Sequence, residues 1–343
     1  MKKLTAIPAV LVLLGLGISA QAVTIDTVTV GDPGNGADTA DHSGNPNGQG
    51  SVSYTYNIGK YEVTAGQYTA FLNAVAGVDT FGLYNTSMWS NSYGCKIERH
   101  AGSGTVADPY QYRVAADWAN RPVNYVSYWD SCRFANWLSN GQKAGAQDAT
   151  TTEDGTYTLN GYNSVDGRNI QRNTNWKWAI TSEDEWYKAA YYKGGGTDAG
   201  YWLYPTQSDA TPSNQLVNPT DPGNNANFYQ NGYTIGNPYY LTEVGEFENS
   251  ESAYGTFDQG GNVQEVNEGI AYQSLQFVFR SLRGGSFYNN SSTLQPSFRD
   301  LYDSTWEDAN VGFRVSQAVP EPSSIIPLLG GLTGLIGLKR RKA

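Results

Sequence analysis

Few residues of this 343-residue chain are of the types that usually do covalent or redox chemistry. It has two cysteines, Cys95 and Cys132, and two histidines, His42 and His100. Two histidines cannot furnish a multi-histidine iron centre, and there is no zinc spacing, phosphate-cradling loop or nucleophile elbow. His100, flanked by Glu98 and Arg99, reads as a surface residue. Glu183, Asp184 and Glu185 stand in a row, but they follow Ser182 at a helix start, where acidic side chains cap the first turn and complement the dipole. The remaining candidate is a set of arginine, hydroxyl, amide and aromatic residues: Arg283, Ser286, Asn289 and Arg299 with Phe287, Tyr288 and Trp306. Residues of these types can grip an extended peptide or a glycan without transforming it.

The stretch that holds them, Arg280 to Val315, resembles the closing segment of the formylglycine-generating enzyme, or sulfatase-modifying-factor, family. The family's R-G-G-S-aromatic opening is matched by Arg283, Gly284, Gly285, Ser286 and Phe287, and its G-F-R close by Gly312, Phe313 and Arg314. An arginine between the two finds its match at Arg299. The family's oxidising members place one cysteine two residues after the aromatic and a second five further on. Here those positions hold Asn289 and Leu294. A thiolate pair is what captures Cu(I), and neither a carboxamide nor an aliphatic side chain replaces it as ligand or redox sulfur, so no copper is expected. The resemblance implies that the cleft floor is built from Arg283, Ser286, Asn289 and Arg299, with Trp306 beside it.

Further blocks follow in the family's order: YEVTAGQYTAFLN, RPVNYVSYWDSCRFANWLS, WAITSEDEWYKAAYY and YGTFDQGGNVQEV. The last resembles a motif G-N-V-W-E-W whose oxygens hold a structural Ca²⁺, which implies Asn262, the main chain at Val263, and Glu265 as ligands. Both of the motif's tryptophans are replaced, by Gln264 and Val266. A second calcium site is implied by an A-N-aromatic match at Ala226, Asn227 and Phe228. Oxygen ligands on a loop suit a hard cation of this size. The resemblance implies a C-type-lectin-like fold, elaborated with long loops.

The elements that position these residues are legible locally. Thr64 with Gln67, Ser127 with Asp130 and Ser182 with Glu185 are capping-box pairs, each opening a short helix. In the first, Tyr68, Phe71, Leu72 and Val75 fall on one apolar face that belongs to the core. The third stops before Gly194, Gly195 and Gly196. VTIDTVTVG from Val23 and VSYTYNI from Val52 alternate as strands, and the Asp, Asn and Gly run from Asp32 to Gly50 between them reads as a solvated loop. About three short helices among many short strands indicate an α+β domain.

Composition fits that picture: 39 glycines, 25 tyrosines, 9 tryptophans and 16% charged residues describe a loop-rich, aromatic-rich globular body. Residues 1–22, with Lys2 and Lys3, an apolar run and Ala20-Gln21-Ala22, read as a secretory signal peptide. Residues 319–343 hold Val319-Pro320-Glu321-Pro322, an apolar run from Ile325 to Leu338 and a basic end, and resemble a PEP-CTERM sorting signal of Gram-negative bacteria. That run is shorter than the roughly 20 residues a spanning helix needs, and the resemblance implies a transient membrane stop cleaved by an exosortase-type sorting protease, the alternative being a permanent C-terminal anchor. Between the two lies one domain, residues 23–318, with 16 basic against 31 acidic residues. So acidic a body argues against nucleic acid and anionic membrane surfaces as partners. Two cysteines in an exported chain allow one disulfide, and the sequence leaves open whether Cys95 and Cys132 meet.

The residues thus describe an exported, surface- or matrix-associated, calcium-stabilised module that binds peptide or glycan. The alternative is an oxidoreductase of the same family or of its nonheme-iron relatives, acting through a metal site that the sequence does not display.

Overall fold

The computed structural model describes residues 22–40, 48–217 and 220–320. The expected signal peptide but for its last residue, nearly all of the sorting segment, and His42 lie outside the described residues. Among the described residues no helix is long and apolar enough to cross a membrane.

Strand β1 (Thr27–Val30) pairs with β2 (Tyr56–Gly59), and helix α1 (Ala65–Val75) follows. The single turns α2 (Ser87–Ser90) and α3 (Ala116–Ala119) flank the hairpin of β3 (Ile97–Ala101) and β4 (Gln111–Val114). Then come α4 (Tyr128–Ser139), β5 (Trp178–Ile180) and α5 (Glu183–Tyr191). After a long stretch without strands, β6 (Gln264–Gln273), β7 (Val278–Arg283), β8 (Asp300–Asp303), β9 (Val311–Gly312) and β10 (Val315–Ala318) complete the chain. Five helices and short strands in small sheets make the expected loop-rich α+β fold. The two unexpected helices are one turn each, too short to leave a periodic signal.

All three capping boxes form. Thr64 Oγ1 accepts from the Gln67 N–H at 3.2 Å while Gln67 Oε1 accepts from the Thr64 N–H at 2.9 Å, and the pairs at Ser127 and Ser182 do the same. Each pair satisfies two donors that the first helical turn leaves free. The apolar face of α1 meets α4 in an aromatic cluster: Phe71 lies 5.3 Å from Phe134 and from Trp137, and Phe134 lies 5.4 Å from Phe313. Pairs of this kind contribute about 0.5–1.5 kcal/mol each beyond their buried area.

The region between β1 and β2 departs from the local reading. Asn35 and Asp38 are buried, and Asn35 Nδ2 donates to the Gly50 carbonyl at 2.8 Å while its Oδ1 accepts from the Val52 N–H at 3.1 Å. The Gly34 N–H takes the Val52 carbonyl as well. The described part of this segment is therefore a docked strap rather than a solvated loop. With its backbone so engaged, the chain at Val52 joins no ladder, and β2 begins only at Tyr56.

Two four-stranded sheets organise the body, one ordered β1-β2-β10-β5 and the other β8-β7-β6-β9. β9 pairs parallel with the start of β6, Glu265 opposite Gly312, whereas β10 lies antiparallel between β2 and β5. The chain crosses from one sheet to the other through Phe313 and Arg314. Arg314 is fully buried at that crossing and donates to the carbonyls of Gly59 and Phe257, both at 2.8 Å.

The charges of Asp130 and Asp79 both act on Glu307. Burial, and then the negative charge of Asp130, pushes the Glu307 carboxyl up to about 8. The folded state thus holds this proton more tightly than the unfolded chain does. Stability from it is present below the ordinary value of 4.5 and is lost as pH rises through about 8. Glu307→Gln is expected to flatten the pH dependence of the melting temperature between those limits and to stabilise the protein at pH 8. Melting curves across that range check it, and an unchanged slope would refute it.

Candidate functional site

β7 ends at Arg283 and runs into the Gly284-Gly285 turn that presents Ser286 to Asn290. Gly285 has φ +65°, and a Cβ there would stand 2.2 Å from Thr293 Oγ1, so the turn requires glycine. Ser286 Oγ lies 2.6 Å from Asn289 Oδ1 and donates to it, and the Asn289 carbonyl accepts from the Tyr229 N–H at 2.8 Å. Leu294 is wholly buried, packed with Tyr204, Ala226 and Phe228. At the two positions where the resemblance leads one to expect a thiolate pair stand a hydrogen-bonded carboxamide and a core aliphatic. These residues do not fit copper.

The arginines expected to line the cleft have other partners. Arg283 is fully buried: its Nε and Nη2 reach Glu183 Oε1 at 2.9 and 2.7 Å, and its Nη1 reaches the carbonyls of Pro296 and Phe298. Arg299 is mostly buried and pairs with Glu183 Oε2 at 2.5 Å. Glu183 therefore bridges two guanidiniums and also accepts from Ser281 Oγ at 2.9 Å. The dipole account of the acidic run at the start of α5 is incomplete. Glu183 holds the β7 end, Asp184 accepts from the Gly50 N–H, and Glu185 joins its capping duty to an ion pair with Arg172. Burial in the interior makes such pairing obligatory.

Trp306 stays at the surface, 43% exposed, and stacks on Tyr302 at 5.1 Å with the rings 7° from parallel. Tyr288 is 41% exposed, and burial of its hydroxyl end together with Asp308 and Tyr302 nearby pushes its phenol upward. Of the expected cleft, Trp306 thus lies at the surface and Asn289 is half-buried, whereas Ser286 is fully buried and the two arginines lie in the interior beneath.

The two implied calcium segments converge. Asn227 Nδ2 donates to Asn262 Oδ1 at 3.0 Å and to the Tyr240 carbonyl at 2.9 Å. Asn262, at φ +57°, also accepts from the Thr242 N–H at 3.1 Å. Gly261 makes this approach: a Cβ there would meet the Asn227 carbonyl oxygen at 2.2 Å. Two buried acceptors at this spot, Asn227 Oδ1 and Thr242 Oγ1, have no hydrogen-bond partner. Orphaned oxygens on loops fit a hard cation. Val263 points its side chain into the core beside Leu241 and Phe287, while the Phe228 carbonyl accepts from Asn214 Nδ2 at 3.1 Å. Glu265 has a different partner: its carboxylate accepts from Arg314 Nε and Nη2 at 2.8 and 2.7 Å and from Trp186 Nε1 at 2.7 Å. Among the described residues no three His, Cys, Asp or Glu side chains are placed to hold a metal.

Cys95 and Cys132 are buried free thiols, and burial pushes both upward, Cys95 to about 11. Such thiols are inert at neutral pH. His100 is exposed at the surface, as its flanking charges indicate.

Local reading misses the stretch from Thr211 to Tyr240. Tyr229 and Tyr233 are 42% and 39% exposed, 5.2 Å apart, and Tyr233 rests on Tyr240 and Phe287 at 5.0 and 6.3 Å. The described residues of the stretch form no strand or helix, so no periodicity marks it; the clustering of Phe228, Tyr229, Tyr233, Tyr239 and Tyr240 is the signal that could have. A pocket of about 350 Å³ beside Tyr128 and Arg280 has Arg172 in its wall, already engaged by both Glu185 and Glu268.

Comparison with known proteins identifies the family. The family model described as "Sulfatase-modifying factor enzyme 1-like domain" matches residues 18–319. Among solved structures, the chain is similar to CarF at 20% identity, covering 87% of this chain and all of that one, with a TM-score of 0.48. It is similar to PvdO from Pseudomonas aeruginosa at 20% identity over 85% of this chain and 94% of that one, with a TM-score of 0.49. Treponema denticola variable protein 1 aligns at 16% identity over 87% and 97%, with a TM-score of 0.48. No curated protein matches. With its segment order, its capped helices and a family match that spans the domain, this chain belongs to the sulfatase-modifying-factor family.

Proposed function

We propose that the chain is an exported, surface- or matrix-associated member of its family that binds an extended peptide or glycan and does not carry out the copper-dependent oxidation of cysteine. The observation that carries this reading is the pair Asn289 and Leu294, one tied to Ser286 Oγ and the other sealed in an apolar cluster. The scaffold around them is retained, while the sulfur ligands are replaced by groups with no affinity for Cu(I). Calcium is proposed as a structural cofactor at the meeting of Asn227 and Asn262, where Asn227 Oδ1 is orphaned. Glu265 would support that site from its pairing with Arg314. Export follows in this reading from residues 1–22, and sorting by an exosortase-type protease, with transient membrane attachment, from residues 319–343.

The test is direct. Purified mature chain loaded with Cu(I) and given a cysteine-containing peptide is expected to retain no stoichiometric copper on desalting and to leave the thiol unoxidised by mass spectrometry. Tight copper with turnover would favour an oxidoreductase acting through a metal site built elsewhere.

A further inference from the structure

We infer that the trough formed by residues 211–215 and 230–233, with Tyr229 and Tyr233 at its rim, is a binding subsite for an uncharged saccharide. The inference rests on the binding reading above and names its ligand class. The trough measures about 640 Å³, and its walls include Ser213, Asn214, Gln215, Gln230, Asn231 and Tyr233. No charged side chain lines it among the described residues, in a chain that carries 32 acidic residues. An anionic ligand would find no cation here and an acidic body around it. A cationic one would find no carboxylate within the trough.

An extended peptide is poorly served as well. It would seek an open strand edge for main-chain pairing or an apolar hole for a side chain. The trough has neither: its only ladder contact is the isolated bridge of Ser213 with Asn225. What it does offer is carboxamides. The side chains of Gln230 and Asn231 form no hydrogen bond with any described residue, and an amide gives both a donor and an acceptor to a hydroxyl. The exposed rings of Tyr229 and Tyr233 provide apolar faces against which the C–H face of a sugar can lie.

The wall is also held in place before any ligand arrives. Asn214 Nδ2 gathers the carbonyls of Phe228, Gln230 and Gly232 at 3.1, 3.3 and 3.0 Å. Gln215 Nε2 in turn donates to Asn214 Oδ1 at 2.8 Å. A loop fixed in this way loses little further freedom on binding. Through the Tyr229 N–H on the Asn289 carbonyl, it is joined to the Ser286–Asn289 turn.

The experiment is native affinity electrophoresis of the mature chain through gels containing neutral polysaccharides (dextran, laminarin, galactomannan, xylan), with alginate as the acidic arm. Fluorescence polarisation with labelled peptides of random sequence supplies the peptide arm. Retardation by at least one neutral polysaccharide is expected, and Tyr233→Ala should weaken it about tenfold. Gln230→Ala, at an exposed position, and Asn231→Gly, which keeps the left-handed backbone of that exposed residue at φ 58°, should weaken it with an unchanged melting temperature. Binding that Tyr233→Ala and Gln230→Ala leave intact overturns the inference, as does failure of the whole neutral panel. Peptide binding lost in the same variants overturns the saccharide assignment, and alginate binding lost in them overturns the assignment to an uncharged ligand; either leaves the binding module standing. Copper-dependent peptide oxidation would overturn the binding reading itself.

Discussion

Replacing Glu265 with alanine is expected to cost about 3–5 kcal/mol of folding stability, the range for removing one partner of a buried ion pair. Both side chains of the Glu265 and Arg314 pair are essentially inaccessible. Without the carboxylate, the guanidinium at the crossing between the two sheets keeps the Gly59 and Phe257 carbonyls as hydrogen-bond partners and the charges of Glu62 and Asp258 nearby but loses its ion pair, and Trp186 Nε1 loses its acceptor. Urea unfolding measures the loss. A double-mutant cycle with Arg314→Met separates the pair from the scaffold, since removing both charges should be less damaging than the sum of the single changes. A cost below about 1 kcal/mol would mean that the pair is not what closes the two sheets. Were Glu265 instead a calcium ligand, its loss would be masked by chelator; in the structure described here the penalty persists in chelator.

Glu183→Gln is the second large effect, also expected at about 3–5 kcal/mol, because one carboxylate is the ion-pair partner of both Arg283 and Arg299. The amide retains an acceptor but no charge, so the fully buried Arg283 is left unbalanced. Arg299→Ala should be far milder, about 0.5–1.5 kcal/mol, since Arg283 then keeps Glu183 to itself. The two arginines, alike in sequence context, are distinguished by this contrast: one anchors the end of β7, and the other supports the surface segment from below. Equal losses in the two variants would show that the assignment of the anchor is wrong. Unfolding curves of both proteins at pH 7 decide it.

How far the sequence discloses this molecule depends on how far apart the interacting residues lie. The capping boxes at Thr64, Ser127 and Ser182 are legible because each pair spans three residues and nothing distant competes for it. Asn35 illustrates the opposite: a run of Asp, Asn and Gly reads as a free loop, yet one amide side chain docks it against residues 50 and 52. Arg283 and Arg299 both suggest a ligand cleft by type, and only burial against Glu183, about a hundred positions away, shows them to be internal. Asn227 and Asn262 belong to separate segments in any local reading, and glycine at 261 brings them into contact. The rim at Tyr229 and Tyr233 stays hidden because a stretch with no helix or strand has no hydrophobic period to reveal which side faces water.

The central claim is that this scaffold holds calcium and no redox metal. Elemental analysis of the purified mature chain, paired with melting curves with and without chelator, tests it most directly. Stoichiometric calcium, no copper or iron, and a melting temperature that falls when chelator is added are the results expected of a calcium-stapled binding module. Stoichiometric copper or iron, or a melting temperature indifferent to chelator in a calcium-free protein, would contradict it.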